Sequence, residues 1–191
     1  MPKVIYLTGA PASGKSSTSR LLNEQLPSLL IWEYGKRLTQ HCRTKYGAAD
    51  HEDLRARSSA IVTPEDIVEV DRALLEFVST NRDSHPILID SHPVTKEDFG
   101  FRITAFSASQ LSALDPSEIW VTFVSPEETC NRIAADNGGR PAVTEEEARM
   151  HTGLQASIAA IYGVTAPCPV YLFDTGRDQQ ALVKRLVGRL S

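Results

Sequence analysis

The stretch Gly9-Ala10-Pro11-Ala12-Ser13-Gly14-Lys15-Ser16 decides the fold of this chain. It is a complete G-x-x-x-x-G-K-[ST] phosphate-binding loop, or P-loop, and it lies between the apolar run at residues 4–7 and a predicted helix at residues 16–26. The glycines let successive backbone N–H groups point inward as an anion cradle, and the helix N-terminus adds a partial positive charge. The loop predicts binding of a nucleoside triphosphate, with Lys15 at the β- and γ-phosphates and Ser16 as a ligand of Mg²⁺.

Apolar runs and helical patterns alternate from one end of the chain to the other. Helix signals include the capping sequences Thr63-Pro64-Glu65-Asp66 and Thr144-Glu145-Glu146-Glu147 and the apolar stripe of residues 179–190. The alternation predicts an α/β doubly wound fold, with a five-stranded parallel sheet and helices on both faces. Ligands would bind along the edge formed by the carboxyl ends of the strands. The predicted buried strands are residues 4–7, 29–32, 87–89, 119–124 and 170–173.

Composition narrows the class of protein. A length of 191 residues favours one domain over residues 1–191, and the net charge of −4 gives no general attraction to nucleic acid or to anionic membranes. No apolar stretch reaches the length of a membrane span. Cys42, Cys130 and Cys168 are scattered and lack metal-site spacing, which predicts free thiols in a reducing cytoplasm. A nucleic-acid partner is disfavoured, although a local basic surface stays open.

The apolar run Ile87-Leu88-Ile89-Asp90 ends in a carboxylate, which is the pattern of a Walker-B strand. At this distance after a P-loop, Asp90 is expected to hold Mg²⁺ or its waters, or to orient an acceptor hydroxyl. His92 would lie on the same edge of the sheet. It is a candidate acceptor contact, and the alternative is a loop histidine that is bonded to the backbone.

Two arginines follow the fourth predicted strand. Arg132 lies in the helix that begins at Ser125-Pro126-Glu127-Glu128, and Arg140 lies in the glycine-containing loop that comes next. Phosphoryl transfer needs cations around the moving group, so both arginines are candidate catalytic residues on a short lid at residues 132–143. The alternative for each is a surface charge that pairs with nearby acids.

Residues 34–63 are interpreted as an acceptor-binding insert. The segment combines a weak helical pattern with several basic side chains, which would suit an acceptor that carries phosphate. The alternative is a solvated helical excursion from the sheet. The candidate acceptor contacts in and around this segment are Glu33, Tyr34, Arg37, Arg55, Arg57 and His92.

Over most of its length the chain resembles the adenylate-kinase-like P-loop kinases, especially archaeal-type adenylate kinases. Besides the P-loop, Ile89-Asp90-Ser91-His92 is similar to the family's Asp-Thr-His segment, and residues 125–151 follow its pattern without a gap. Glu33-Tyr34-Gly35 stands at an aromatic–glycine element near the acceptor nucleotide, and Gly176-Arg177-Asp178 resembles a late loop that lies against the ATP adenine. The resemblance implies transfer of the γ-phosphoryl of Mg²⁺–ATP to a nucleotide or nucleoside.

Motif and resemblance together assign roles to particular residues. The predicted catalytic residues are Lys15, Asp90, Arg132 and Arg140, and the predicted Mg²⁺ ligands are Ser16 and Asp90. The predicted ATP contacts are Gly9, Ala10, Pro11, Ala12, Ser13, Gly14, Lys15, Ser16, Ser17, Arg132 and Arg177.

The lid departs from the family, because Ala135, Gly139 and Pro141 stand where basic residues are usual. Fewer cations would neutralise an acceptor phosphate less well, which argues against AMP as the acceptor. The segment at residues 32–37 also resembles ribosylnicotinamide kinases, in which an acidic residue meets a ribose hydroxyl, and kinases of modified DNA bases are a more distant alternative.

A nucleotide-binding switch or assembly ATPase is the alternative from a different class. Its arginine finger or partner surface cannot be read from this sequence. The tripeptide Asp98-Phe99-Gly100 matches the metal-binding element of protein kinases, but the chain lacks an H-R-D loop, so we interpret the match as coincidence.

Overall fold

The structure is a computed structural model that describes residues 2–47, 62–136 and 141–190. Arg55, Arg57 and Arg140 lie outside the described residues, as do parts of the predicted insert and lid. Within the described ranges, none of the helices is both long and apolar enough to cross a bilayer.

In chain order the described elements are β1 (Val4–Gly9), α1 (Lys15–Gln25), β2 (Leu30–Glu33), α2 (Tyr34–Tyr46), α3 (Pro64–Asn81), β3 (Ile87–Asp90), β4 (Val94–Glu97), β5 (Gly100–Ile103), α4 (Ala108–Leu114), β6 (Glu118–Phe123), α5 (Pro126–Ala134), α6 (Glu145–Thr165), β7 (Val170–Asp174) and α7 (Gln179–Leu190).

Five strands form one parallel sheet in the order β2-β3-β1-β6-β7. All five strands predicted from the sequence are present, and the predicted doubly wound α/β fold is confirmed. The register pairs Leu7 of β1 with Asp90 of β3, and Asp90 with Glu33 of β2. The ends of β1, β2 and β3 therefore lie side by side at the carboxyl edge of the sheet, where α/β folds bind their ligands.

Side chains of the central strands alternate between two hydrophobic layers, as expected for strands that are buried on both faces. Ile89 and Val121 belong to the layer that α3, α4 and α6 cover. Leu88 and Trp120 belong to the layer that α1 and α7 cover. The helices on each face thus fix the sheet, and the sheet in turn fixes the strand ends that carry the site.

Five of the described helices begin with a side-chain cap. In α7 the Asp178 carboxylate accepts from the N–H groups of Gln180 and Ala181. Thr63, Ser107 and Thr144 each form a capping box at the start of α3, α4 and α6, and the Ser125 hydroxyl accepts from a first-turn N–H of α5. The starts predicted at Thr63, Ser125 and Thr144 are confirmed. Such caps satisfy backbone N–H groups that have no partner within the helix.

The sequence patterns do not predict the β4–β5 hairpin or helix α4. Both hairpin strands are only four residues long and half-buried, so no apolar run marks them. Asp98 and Phe99 form the hairpin turn, and Gly100 follows with a φ of 135°, a conformation that favours glycine. The tripeptide Asp98-Phe99-Gly100 is accordingly a turn between two antiparallel strands.

Asp66 of α3 joins α2 to the rest of the fold. Its buried carboxylate lies 2.8 Å from Lys45 Nζ and 2.9 Å from His41 Nε2, and it accepts from the backbone N–H of Thr63 at 2.9 Å. Burial alone would raise the pKa of Asp66, but the hydrogen bonds from Lys45, Thr63 and His41 outweigh it and hold that pKa well below its ordinary value. Asp66 thereby positions the helix that carries Tyr34 at its first turn.

We predict that Asp66→Asn lowers the free energy of unfolding by about 2 kcal/mol at neutral pH, because an amide cannot accept the same set of bonds. In the folded chain the pKa lies below the unfolded value of about 4, so the carboxylate's contribution is complete above about pH 4 and is lost as the pH falls through the folded-state pKa. Denaturant unfolding at about pH 7 and about pH 3 should show the difference between the two proteins shrinking in acid.

The exposed Asp83 offers the matched control, and Asp83→Asn should change stability little at either pH. A deficit for Asp66→Asn that stays as large in acid as at neutral pH would contradict this account of the cluster.

Candidate active site

The P-loop connects β1 to α1 at the carboxyl edge of the sheet. Gly14 is the N-cap of α1 with a φ of 82°, and it has no side chain to cap the helix. The first turn of α1 also contains no acidic residue. The N–H groups that Ser and Thr satisfy in α3, α4, α5 and α6 are here left for an anionic ligand, and the helix dipole favours negative charge at the same place.

Hydroxyl groups from β6 and from the loop after β7 hold the P-loop in this conformation. The Thr175 hydroxyl donates to the Ser13 carbonyl at 2.7 Å, and the Ser13 and Thr122 hydroxyls lie 2.9 Å apart. A Cβ at Gly14 would lie 2.6 Å from Thr175 Oγ1, and a Cβ at Gly9 would overlap Ser13 and Thr122. Both glycines are therefore required by close approach, and Gly14 is required by its backbone conformation as well.

Lys15 Nζ forms an ion pair with Asp90 Oδ1. The two side chains are only 15% and 9% exposed, so the pair is largely removed from water. The P-loop lysine and the carboxylate at the end of β3 are thus in direct contact. Ser16 occupies the next position and lines the same cleft.

The donor set fits magnesium. Within the described ranges, no three or more His, Cys, Asp or Glu side chains gather as they would around a metal held by protein ligands alone. Mg²⁺ keeps several waters and typically takes one or two carboxylates together with substrate phosphates. The Ser16 hydroxyl and the Asp90 carboxylate, with a phosphate cradle beside them, match that preference.

Arg132 of α5 is attached to the P-loop through backbone carbonyls. Its guanidinium donates to Ala12 O at 3.2 Å and to Thr175 O at 3.4 Å, and it forms an ion pair with Glu128 at 2.7 Å. The sequence leaves two roles open for Arg132, that of a catalytic cation and that of a surface charge paired with acids. The structure adds a third relation, since Arg132 ties the P-loop to the loop after β7.

One continuous cleft of about 980 Å³ contains the P-loop, Asp90 and part of the predicted acceptor site. Glu33, Tyr34 and His92 all line it. The Tyr34 hydroxyl donates to Asp71 at 2.7 Å, and Glu33 pairs with Lys36 at 2.6 Å. This volume lies at the upper end for small-molecule sites and leaves room for a second ligand beside a triphosphate.

Arg37 and Arg177 do not line the cleft. The Arg37 guanidinium lies 4.8 Å from the centre of the Trp32 ring, because α2 turns that side chain toward the outer surface. The Arg177 side chain is 84% exposed and pairs with Asp174 at 3.0 Å. The placement of Arg37 gives no support to the predicted acceptor contact. The contact predicted for Arg177 is one of the loop backbone with ATP, and it stays a prediction.

Sequence reasoning missed three cleft or loop residues: Asp71, Thr122 and Thr175. For Asp71 a signal exists, because it stands on the apolar stripe of α3 between Ile67 and Leu74, where helical spacing calls for an apolar residue. Burial raises the pKa of the Asp71 carboxyl above its ordinary value, and hydrogen bonds from Tyr34 and Gln110 oppose that rise. Thr122 and Thr175 carry no comparable signal, since their role depends on which strands become neighbours.

The fold and the residues at the edge of the sheet define a P-loop kinase. The sequence model of the family described as AAA domain (AAA_17) matches residues 8–149, and the chain belongs to this family. Adenylate kinases from Thermococcus onnurineus and Pyrococcus furiosus are each 24% identical over 181 residues, which cover 94% of this chain and 89% of theirs. The resemblance to adenylate-kinase-like P-loop kinases is confirmed.

Solved structures show the same fold. Shikimate kinase from Bacteroides thetaiotaomicron is similar with a TM-score of 0.57 and 14% identity, over 100% of this chain and 99% of that one. A sugar kinase from a Janibacter species is similar with a TM-score of 0.54 and 14% identity, over 98% and 94% of the two chains. At this identity the likeness concerns the fold alone.

We predict that Arg132→Ala weakens binding of Mg²⁺–ATP about tenfold, because the P-loop loses two charge-assisted hydrogen bonds that hold it. Arg132→Lys should restore little, since one ammonium group cannot span both carbonyls and Glu128. Titration calorimetry measures the dissociation constants.

Arg149→Ala is the control, because Arg149 is an exposed helical arginine that pairs with Glu146 at 2.7 Å away from the P-loop. Equal nucleotide affinity of wild type and Arg132→Ala would show that Arg132 does not hold the loop.

Proposed function

We propose that the protein is a Mg²⁺–ATP-dependent phosphotransferase that moves the γ-phosphoryl group of ATP to a nucleotide, a nucleoside or a related hydroxyl-bearing small molecule. The observation that carries the proposal is the contact of Lys15 with Asp90 inside a cleft that continues to Tyr34 and Glu33. A donor cradle and a polar second compartment in one cleft suit transfer between two bound molecules.

In the donor half, the backbone N–H groups at the start of α1 and the Lys15 ammonium would hold the β- and γ-phosphates. The Ser16 hydroxyl and the Asp90 carboxylate would hold magnesium. When bound, the metal supplies charge neutralisation and orientation of the phosphates. Arg132 would keep the loop in its binding conformation, and Arg140 remains a proposed lid cation on sequence grounds.

In the acceptor half, Asp90 would orient an acceptor hydroxyl as well as the metal. Its position at the end of the strand between β1 and β2 supports this role. Glu33 is its register partner on β2, and Tyr34 and His92 line the cleft nearby. Catalysis of phosphoryl transfer is mainly positioning and electrostatics, so the chain needs no covalent nucleophile.

The comparisons support the class of reaction and leave the acceptor open. The sequence relatives are named adenylate kinase, and one structural neighbour is a shikimate kinase from Acinetobacter baumannii solved with shikimate, similar with a TM-score of 0.55 and 13% identity over 99% of this chain and 93% of that one. Nucleotides, nucleosides and small hydroxyl compounds are therefore all acceptors to be tested. A switch or assembly ATPase differs in that its ATP turnover needs no acceptor.

The cytoplasm is the compartment in which we expect this activity. Cys42, Cys130 and Cys168 are unbonded thiols, and reducing conditions preserve thiols of this kind.

We predict that ADP formation depends on an acceptor and on Mg²⁺, and that Lys15→Ala reduces it at least about a hundredfold, because Lys15 supplies charge where the phosphates bind. A coupled ADP assay with a panel of nucleosides, nucleotides, shikimate and a hexose measures this. Lys184→Ala, which removes an exposed lysine of α7, should leave the rate unchanged.

ATP turnover that no acceptor stimulates would refute the phosphotransferase and favour the ATPase alternative. Turnover of Lys15→Ala near the wild-type rate would show that the P-loop is not the active site.

A further inference from the structure

The acceptor half of the cleft contains a buried carboxylate without a cationic partner. Asp71 is 5% exposed and lines the cleft. The Tyr34 hydroxyl donates to its Oδ1 at 2.7 Å, and Gln110 Nε2 donates to its Oδ2 at 2.6 Å. Among the residues that the structure describes, no Lys, Arg or His forms an ion pair with Asp71. Each oxygen thus keeps a free lone pair for a hydrogen-bond donor on a ligand.

Burying a carboxylate with only neutral donors is costly. An apolar side chain at this position of α3 would make the core more stable. Tyr34 and Gln110 come from two other helices, α2 and α4, and both point their donors at this one group. The carboxylate is therefore oriented by its surroundings, and a ligand donor is the partner that would compensate its burial.

Four aromatic rings form a wall of the same cleft. Tyr34 lies 6.1 Å from Phe106, Phe106 lies 6.0 Å from Tyr6, and Tyr6 lies 5.4 Å from Tyr162, measured between ring centres. All four rings line the cleft. The series runs from Tyr34, which bonds Asp71, to Tyr162. Within it, Tyr6 precedes Leu7, the register partner of Asp90. Tyr6 and Tyr162 are almost fully buried, so the partly exposed rings of Tyr34 and Phe106 provide the aromatic surface that suits the flat ring of a nucleobase.

Among the residues that the structure describes, the charge of the cleft lining disfavours a phosphate on the acceptor. Among its described lining residues are seven acidic and five basic side chains. Every one of these five cations already pairs with a carboxylate. The pairs are Lys15–Asp90, Lys36–Glu33, Lys96–Glu147, Arg102–Glu97 and Arg132–Glu128. Since ATP uses Lys15, a second phosphorylated ligand would meet an excess of negative charge among these described lining residues.

We propose that the acceptor is a nucleoside without a 5′-phosphate, and that Asp71 selects it by accepting hydrogen bonds from N–H groups of the base. This inference rests on the proposed phosphotransferase function. The bond between Pγ and the β,γ-bridging oxygen of ATP breaks, and ADP leaves with that oxygen. A bond between Pγ and the nucleoside hydroxyl oxygen forms, and the hydroxyl proton is released to solvent. The products are ADP and a nucleoside monophosphate.

The first test uses the wild-type protein. Transfer from Mg²⁺–ATP to ribo- and deoxyribonucleosides is compared with transfer to their 5′-monophosphates, to shikimate and to a hexose, with products separated by chromatography. We expect at least one nucleoside to be phosphorylated with a kcat/KM about tenfold or more above that of its own monophosphate. Transfer confined to monophosphates, to shikimate or to the hexose overturns the inference and leaves the phosphotransferase intact. Absence of transfer to every acceptor refutes the phosphotransferase itself.

The second test concerns Asp71 as a specificity residue. Asp71→Asn should raise the KM of the preferred nucleoside about tenfold, change kcat less than about threefold and leave the KM of ATP unchanged, because Asp71 meets the base and not the phosphates. The preference for nucleoside over monophosphate should fall as well, since one negative charge is removed. Glu76→Gln is the matched control, because it neutralises an exposed carboxylate on the same helix.

An equal loss of kcat with every substrate would assign Asp71 a structural role and overturn the inference. If thermal melting shows that Asp71→Asn does not fold, titration calorimetry of wild type with Mg²⁺–ADP decides. Tighter binding of the nucleoside than of its 5′-monophosphate supports the inference, and tighter binding of the monophosphate overturns it.

Discussion

The ion pair between Lys15 and Asp90 is the interaction on which the rest of the site depends. Lys15 begins the helix that follows the P-loop, and Asp90 ends the strand β3. Both side chains are largely removed from water, so each charge would be costly without the other. A bound phosphate could replace Asp90 as the partner of Lys15, and a hydrated magnesium ion could replace Lys15 as the partner of Asp90. In the proposed function, the pair keeps a cation and an anion ready at the point where donor and acceptor would meet, before either has bound.

The fold maintains this pair through long-range contacts. The register of β1 with β3 sets Leu7 opposite Asp90, which brings the P-loop to the carboxylate. Thr175, which follows β7, and Arg132, which follows β6, then hold the backbone of the P-loop through its carbonyl groups. These bonds leave the N–H groups at the start of α1 available, which is the condition for binding an anion there.

Much of the fold follows from the sequence because its signals are local. The P-loop, the five apolar runs and the caps at Thr63 and Thr144 each lie within a few adjacent residues, and the structure has them all. The hairpin β4–β5 has no such signal, because its short strands are half-buried and pair only with each other. Asp71 is recognisable as an acid on an apolar stripe, but its partners Tyr34 and Gln110 are far away in sequence. The outward direction of Arg37 depends on how α2 packs, which composition does not reveal.

The affinity for ATP with and without magnesium tests the central claim. The claim is that, when Mg²⁺–ATP binds, Lys15 leaves Asp90 to pair with phosphate and Asp90 leaves Lys15 to pair with the metal. In wild type, metal-free ATP must separate the pair and face a bare carboxylate, so magnesium should tighten binding strongly. In Asp90→Asn both costs are absent, and the account predicts tighter binding of metal-free ATP with little further gain from magnesium. Weaker binding of metal-free ATP by Asp90→Asn, with the full gain from magnesium retained, would contradict it.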